Sequence, residues 1–129
     1  MSAIEKFEDL KIWQSARELC KEIYILLKTE KFSKDYELVK QIKKSSGSVM
    51  DNIAEGFERG GRKEFLQFLS IAKASCGEVR SQLHRAFDQN YLSQDKYDLL
   101  INNCTELSKM IMGFIKYLNE SELKGVKYK

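Results

Sequence analysis

Ser48-Val49-Met50-Asp51-Asn52-Ile53-Ala54-Glu55-Gly56-Phe57 decides the fold of this chain. Val49, Ile53 and Phe57 recur every four residues, the period of one helix face and not the alternation of a strand. Ser45, Ser46 and Gly56 share that side, where small residues let a neighbouring helix come close. Asn52 and Glu55 stand off the apolar side and join no catalytic triad or metal cluster.

The same period runs outward in both directions. A first helix is expected over about 9–29 along Ile12, Trp13, Ala16, Leu19, Cys20, Ile23 and Leu27. A second, with Ser33 as its N-cap, is expected to about residue 59 along Leu38, Ile42, Ser46, Val49, Ile53 and Phe57. Gly60-Gly61 breaks it. A third spans about 62–90 along Phe65, Phe68, Leu69, Ala72, Cys76, Val79, Leu83 and Ala86. A fourth begins after Ser93 and runs to about 118 along Tyr97, Leu100, Cys104, Leu107, Ile111, Phe114 and Leu118. Long segments on short connections make sequential neighbours antiparallel, so the expected fold is all-α: an up-down-up-down four-helix bundle.

Composition agrees. The 129 residues suit one domain with a real core, ordered over about 7–120, with residues 1–5 and 124–129 expected to be loose. The chain is 43% hydrophobic and 32% charged, which is globular and not disordered, and the absence of proline favours unbroken helices. No apolar run approaches the roughly 20 residues that span a membrane. Residues 1–6 lack the apolar stretch of a secretory signal. Cys20, Cys76 and Cys104 are odd in number and far apart, so they are expected as small buried hydrophobes in a reducing compartment.

The net charge of +3 permits a nucleic-acid partner without announcing one. Its distribution says more. Arg17, Lys21, Tyr24 and Lys28 follow at spacings of four, three and four, a basic ridge interrupted by one aromatic. Arg62, Lys73 and Arg80, spaced by eleven and seven, share a ridge on the third helix with His84 nearby. Lys40, Lys43, Lys44, Arg59 and Lys63 add charge around the second helix, and Lys124, Lys127 and Lys129 add it to the tail. Such ridges neutralise phosphates, and an aromatic among them stacks on a base. The alternative is a solvated face with partners among Glu18, Glu22, Glu58, Glu64 and Glu78. The other flank of the third helix carries Glu64, Ile71, Glu78 and Gln82, and a basic and an acidic-polar edge on one helix suit a head-to-tail ring of subunits.

The fourth helix is apolar beyond one stripe: Ile101, Met112 and Ile115 lie on one flank, Leu99, Met110 and Tyr117 on the other. Either these residues make subunit contacts or the bundle buries this helix more deeply. Catalytic constellations are absent from the pattern. His84 is the only histidine, which removes the Glu-x-x-His pairs of di-metal bundles, and no close cysteine pairs exist for structural zinc. Ser45, Ser46 and Ser48 have no assigned base, and Gly56, Gly60 and Gly61 follow a helix where a phosphate loop follows a strand. No catalytic residue, metal or cofactor is expected.

Phe7-Glu8-Asp9-Leu10 with Trp13-Gln14, Gln41-Ile42, Asn52-Ile53-Ala54-Glu55-Gly56, the run Phe65 to Ala72, and Ser75, Glu78 and Leu83 together resemble the bacterial four-helix-bundle proteins first noticed as products of intervening sequences in 23S ribosomal RNA genes. The resemblance extends from Phe7 to about Leu118. It implies a cytoplasmic protein that assembles into homopentameric rings. It also implies a structural role for Asn52, Glu55 and Gly56, as a polar flank and a close helix contact. Many members carry a proline where this chain has Met50. The accessory variability determinant of diversity-generating retroelements is similar in fold and uses a basic surface to bind nucleic acid and a partner reverse transcriptase. Two functions from different classes follow: a nucleic-acid-binding accessory protein using Arg17, Lys21, Lys28, Arg62, Lys73 and Arg80, or a protein-interaction module without nucleic-acid affinity.

Overall fold

The computed structural model describes residues 4–124, with side chains to residue 120. A 3-10 turn, Phe7–Asp9, precedes five helices: α1 Lys11–Leu27, α2 Glu30–Ser33, α3 Tyr36–Glu58, α4 Arg62–Asp88 and α5 Gln94–Lys124. There is no strand among the described residues. The looseness expected of residues 1–3 and 125–129, and the tail cations Lys127 and Lys129, lie outside the described residues.

Local chemistry sets the helix ends. The second long helix is capped by Asp35, not by the expected Ser33: Asp35 Oδ1 accepts from the Leu38 N–H at 3.1 Å, an interaction worth about 1 kcal/mol. Ser33 closes the separate short α2, its hydroxyl donating to the Glu30 carbonyl at 2.9 Å. Phe32 drives that break, because it is wholly buried and stacks on Tyr91 with ring centroids 5.0 Å apart. Gly60 holds φ +80° just past α3, a left-handed backbone that glycine adopts without penalty. Asn90, at φ 62°, does the same after α4, with the Asn90 N–H donating to Phe87 O and the Tyr91 N–H to Ala86 O. Ser93 caps α5 by accepting from the Lys96 N–H at 3.2 Å, and α5 continues past the expected residue 118 to Lys124. Met50 leaves α3 unbroken.

Around the bundle the long helices follow the order α1, α3, α4, α5, with α5 returning to α1. Hydrogen bonds join residues 41 to 85, 45 to 82 and 48 to 75, so α3 and α4 run in opposite directions. Aromatic and thiol contacts join 65 to 114, 76 to 104 and 84 to 97 between α4 and α5, again in opposite senses. The core between them takes Ile23, Ile42, Ile53, Phe65, Leu69, Leu83, Leu100, Leu107, Ile111 and Leu118, each sealed from solvent. Burying each such side chain contributes about 1.5–3 kcal/mol. Cys76 and Cys104 are buried as expected, whereas Cys20, Phe57 and Phe68 are only half-buried.

The α3–α4 seam differs from the rest of the core. Ser45, Ser75 and Gln82 are buried polar residues in it, while buried Ser46 faces α1 and accepts from the Cys20 thiol at 3.9 Å. Ser45 Oγ donates to Gln82 Oε1, and Ser48 and Ser75 share a hydroxyl contact at 2.9 Å. Gln82 is thus not on the outer acidic-polar edge where its polarity suggested; it is turned into the seam, where Ser45 satisfies it. Gly56 is the closest approach, since a Cβ there would stand 2.7 Å from Phe68 Cβ and 2.9 Å from Phe65 Cδ1.

The apolar excess of α5 is partly absorbed within the chain. Ile4, Leu10 and Ile12 line a depression with Met110, Phe114 and Tyr117, so the segment before α1 covers one flank. Ile101 and Ile115 are half-buried against the core. Leu99 (49%), Met110 (36%) and Met112 (37%) keep substantial exposure.

Candidate nucleic-acid interface

Helical phase divides the six proposed cations between two faces. Arg17, Lys21 and Lys28 are exposed on α1 and line, with Cys20, Tyr24, Ile25 and Met50, a depression of about 450 Å³ on the α1–α3 side. Lys73 lines a second depression, of about 410 Å³, with Ser108, Lys109, Met112, Gly113 and Lys116 on the α4–α5 side. Given the order of helices, these are opposite sides of the bundle. Arg80, exposed and seven residues after Lys73, shares that face of α4 beyond the depression. Arg62 opens α4, half-buried, at the end that pairs with the later part of α5 through the Phe65–Phe114 contact.

The two sides treat their cations differently. On the α1–α3 side, Lys21 pairs with Glu18 at 3.4 Å, and Arg17 lies 5.6 Å over the Trp13 ring. Lys43 stands 5.4 Å over the Tyr24 ring, covering the one aromatic that the ridge offers. On the α4–α5 side, Lys73, Arg80, Lys109 and Lys116 have no ion pair among the described residues. Lys109 and Lys116 were not among the residues singled out from sequence. Their spacing of seven equals that from Lys73 to Arg80, so the signal was present on the fourth helix beneath its apolar excess.

His84 ends the α4 row as an exposed flank residue, its Nδ1 2.7 Å from the Tyr97 hydroxyl. The thiols lie beneath the cations. Cys76 donates to the Cys104 carbonyl at 3.3 Å. The side-chain thiol of Cys104, and not that carbonyl bond, lowers the Cys76 thiol below its ordinary value against the effect of burial, and the Cys76 thiol together with burial holds Cys104 far above. Burial raises Cys20, with the Ser46 hydroxyl opposing and Asp51 adding. Among the described residues no group of three His, Cys, Asp or Glu side chains is placed to hold a metal ion, and no helix is long and apolar enough to cross a membrane.

The central motif lies away from both depressions. Asn52 Nδ2 donates to the Ser48 carbonyl and hydroxyl, both at 2.8 Å, which orients Ser48 toward Ser75. Glu55 accepts from Arg59 at 2.7 Å along the exposed helix surface, and Arg59 also lies 5.0 Å over the Phe68 ring. Gly56 supplies the close approach in the seam.

No curated protein matches the chain. A solved structure from Bacteroides thetaiotaomicron, of a protein with unknown function from the S23 ribosomal protein family, is similar at 27% identity and a TM-score of 0.74. The match covers 81% of this chain and 98% of that one, so the similarity is of whole bundles. The model of the family described as 23S rRNA-intervening sequence protein matches residues 8–113, which include the first three long helices and most of the fourth. The chain belongs to the 23S rRNA-intervening sequence protein family.

Proposed function

We propose that this protein is a non-enzymatic accessory factor of the cytoplasm that binds nucleic acid through the cation rows on its helices. The observation that carries this reading is that Arg17, Lys28, Lys73 and Arg80 stand in rows with no ion pair among the described residues. Cations without acidic partners leave a field that phosphates neutralise with release of counterions. Arg17, Lys21, Lys28, Arg62, Lys73 and Arg80 are the proposed contacts. Exposed Ile71 (43%), Leu99 (49%) and Met110 (36%) support self-assembly, for which a homopentamer is the proposed form, and a protein partner such as a reverse transcriptase would use the same kind of surface.

The test is a titration against labelled single- and double-stranded RNA and DNA at low and physiological salt, with the mass in solution measured by light scattering. Binding that weakens steeply with salt supports the reading. Absence of binding at low salt overturns it and leaves a protein-interaction module. A sharp monomer mass overturns the ring.

A further inference from the structure

The groove between α4 and α5 differs in kind from the α1 ridge. Lys73 on one helix and Lys109 and Lys116 on the other converge on a single depression whose remaining lining is Ser108, Met112 and Gly113. No acid and no aromatic lines it. Arg80 extends the row on α4, seven residues and about 10 Å beyond Lys73 at the helical rise. Lys109 and Lys116 are separated by the same distance on a helix running the other way. In the antiparallel register of Phe65 with Phe114, Cys76 with Cys104 and His84 with Tyr97, Lys109 faces the turn of Lys73, Arg80 lies one step toward one end and Lys116 one step toward the other, so the four cations follow the groove at steps of about 10 Å. Unpaired charge drawn out along a groove in this way suits a polyanion with regularly spaced charges. The lack of an aromatic platform removes base stacking, and the lack of amide side chains in the lining removes the bidentate reading of adenine.

From this we infer that the α4–α5 groove, with Lys109 and Lys116 as its principal new contacts beside Lys73 and Arg80, holds the phosphate backbone of nucleic acid without reading sequence. This rests on the proposed nucleic-acid function and assigns its site. The α1 ridge is then a secondary surface, since Glu18 pairs with Lys21, the Trp13 ring lies under Arg17, and Lys43 from α3 lies over its aromatic, Tyr24.

The experiment compares salt-dependent binding of one duplex and one single strand, in two unrelated sequences each, by four proteins. These are the wild type, Lys109→Gln/Lys116→Gln, Arg17→Gln/Lys21→Gln, and a charge-matched control, Lys31→Gln/Lys34→Gln, in or beside α2. All substituted positions are exposed, and circular dichroism with a melting curve verifies each fold. The inference expects Lys109→Gln/Lys116→Gln to weaken binding about tenfold or more and to lower the slope of log Kobs against log salt by about two, equally for both sequences. The control is expected to stay within about threefold of wild type. Equal losses in all three variants would mean net charge alone and overturn the groove. Unchanged binding by Lys109→Gln/Lys116→Gln, or a loss confined to one sequence, would also overturn it while the wider function stands. No binding by the wild type would overturn both.

Discussion

The α1–α3 and α4–α5 sides of the bundle are built from the same device, cations recurring at helical spacing, yet they do not present the same chemistry. On α1 the row belongs to one helix, and its own neighbours answer it: Glu18 one turn from Lys21, the Trp13 ring under Arg17, and Lys43 from α3 over Tyr24. Between α4 and α5 the row is shared by two helices, and Lys73, Lys109 and Lys116 face one depression that no acid lines. Periodicity within a helix finds a row of charge, whereas the neighbours of that row decide whether it is available. An exposed intrahelical pair such as Lys21–Glu18 contributes only about 0.3–0.5 kcal/mol, but it lowers the field that a phosphate would meet.

The largest effect should come from reversing charge on one side at a time. Lys73→Glu, Arg80→Glu, Lys109→Glu and Lys116→Glu together are expected to reduce nucleic-acid affinity on the order of a thousandfold at physiological salt. Arg17→Glu, Lys21→Glu and Lys28→Glu together are expected to cost about tenfold, through the general field. Fluorescence anisotropy across a salt series reads both. A larger loss from the α1 set would invert the comparison.

The two sides stay fixed back to back because α3 and α4 close tightly between them. A side chain at Gly56 meets Phe68 Cβ, which no rotamer change can move aside. Gly56→Leu is therefore expected to destabilise the fold by about 3 kcal/mol, measured by urea unfolding. Gly47, in the same helix, has nothing within 4 Å of a built Cβ, so Gly47→Ala should stabilise by up to about 1 kcal/mol. Equal responses at the two glycines would remove the seam as the closest contact. Ser45→Ala leaves Gln82 buried without its partner and should cost about 1–3 kcal/mol; adding Gln82→Leu should restore most of that loss.

How far this was legible depends on which residues are asked about. The four long helices and their core lines follow from spacing alone, because Ile42, Val49 and Ile53, or Leu69, Ala72, Cys76 and Val79, have no other arrangement that buries them together. The α2 break was not legible. Ser33 and Asp35 are both good caps two residues apart, and the choice turns on Phe32 meeting Tyr91, a contact between residues distant in sequence. Gln82 was assigned outward on polarity, although its position seven after Ser75 places both against α3. Lys109 and Lys116 were overlooked for a related reason: the phase of one helix against another fixes which cations share a groove, and a single helix's periodicity does not carry that phase.

The smallest expected effect separates the two sides without altering a charge. Cys20 lines the α1–α3 depression, half-buried, while Cys76 and Cys104 are sealed beneath the α4–α5 side. A soluble thiol reagent should therefore modify Cys20 in the native protein and reach the other two only after unfolding. Burial raises the Cys20 thiol above its ordinary value, so its thiolate is favoured in the unfolded chain and disfavoured in the folded one. The stability this group contributes is full below the ordinary thiol range and declines as pH rises through the raised value. Labelling should likewise accelerate at a higher pH than for a free thiol, since the thiolate is the nucleophile. With saturating duplex bound, the rate at Cys20 should change by less than about twofold if the nucleic acid occupies the α4–α5 groove, because the bundle then stands between the duplex and the thiol. Protection of Cys20 by tenfold or more would place the duplex over the α1 ridge and reverse the assignment of the two sides.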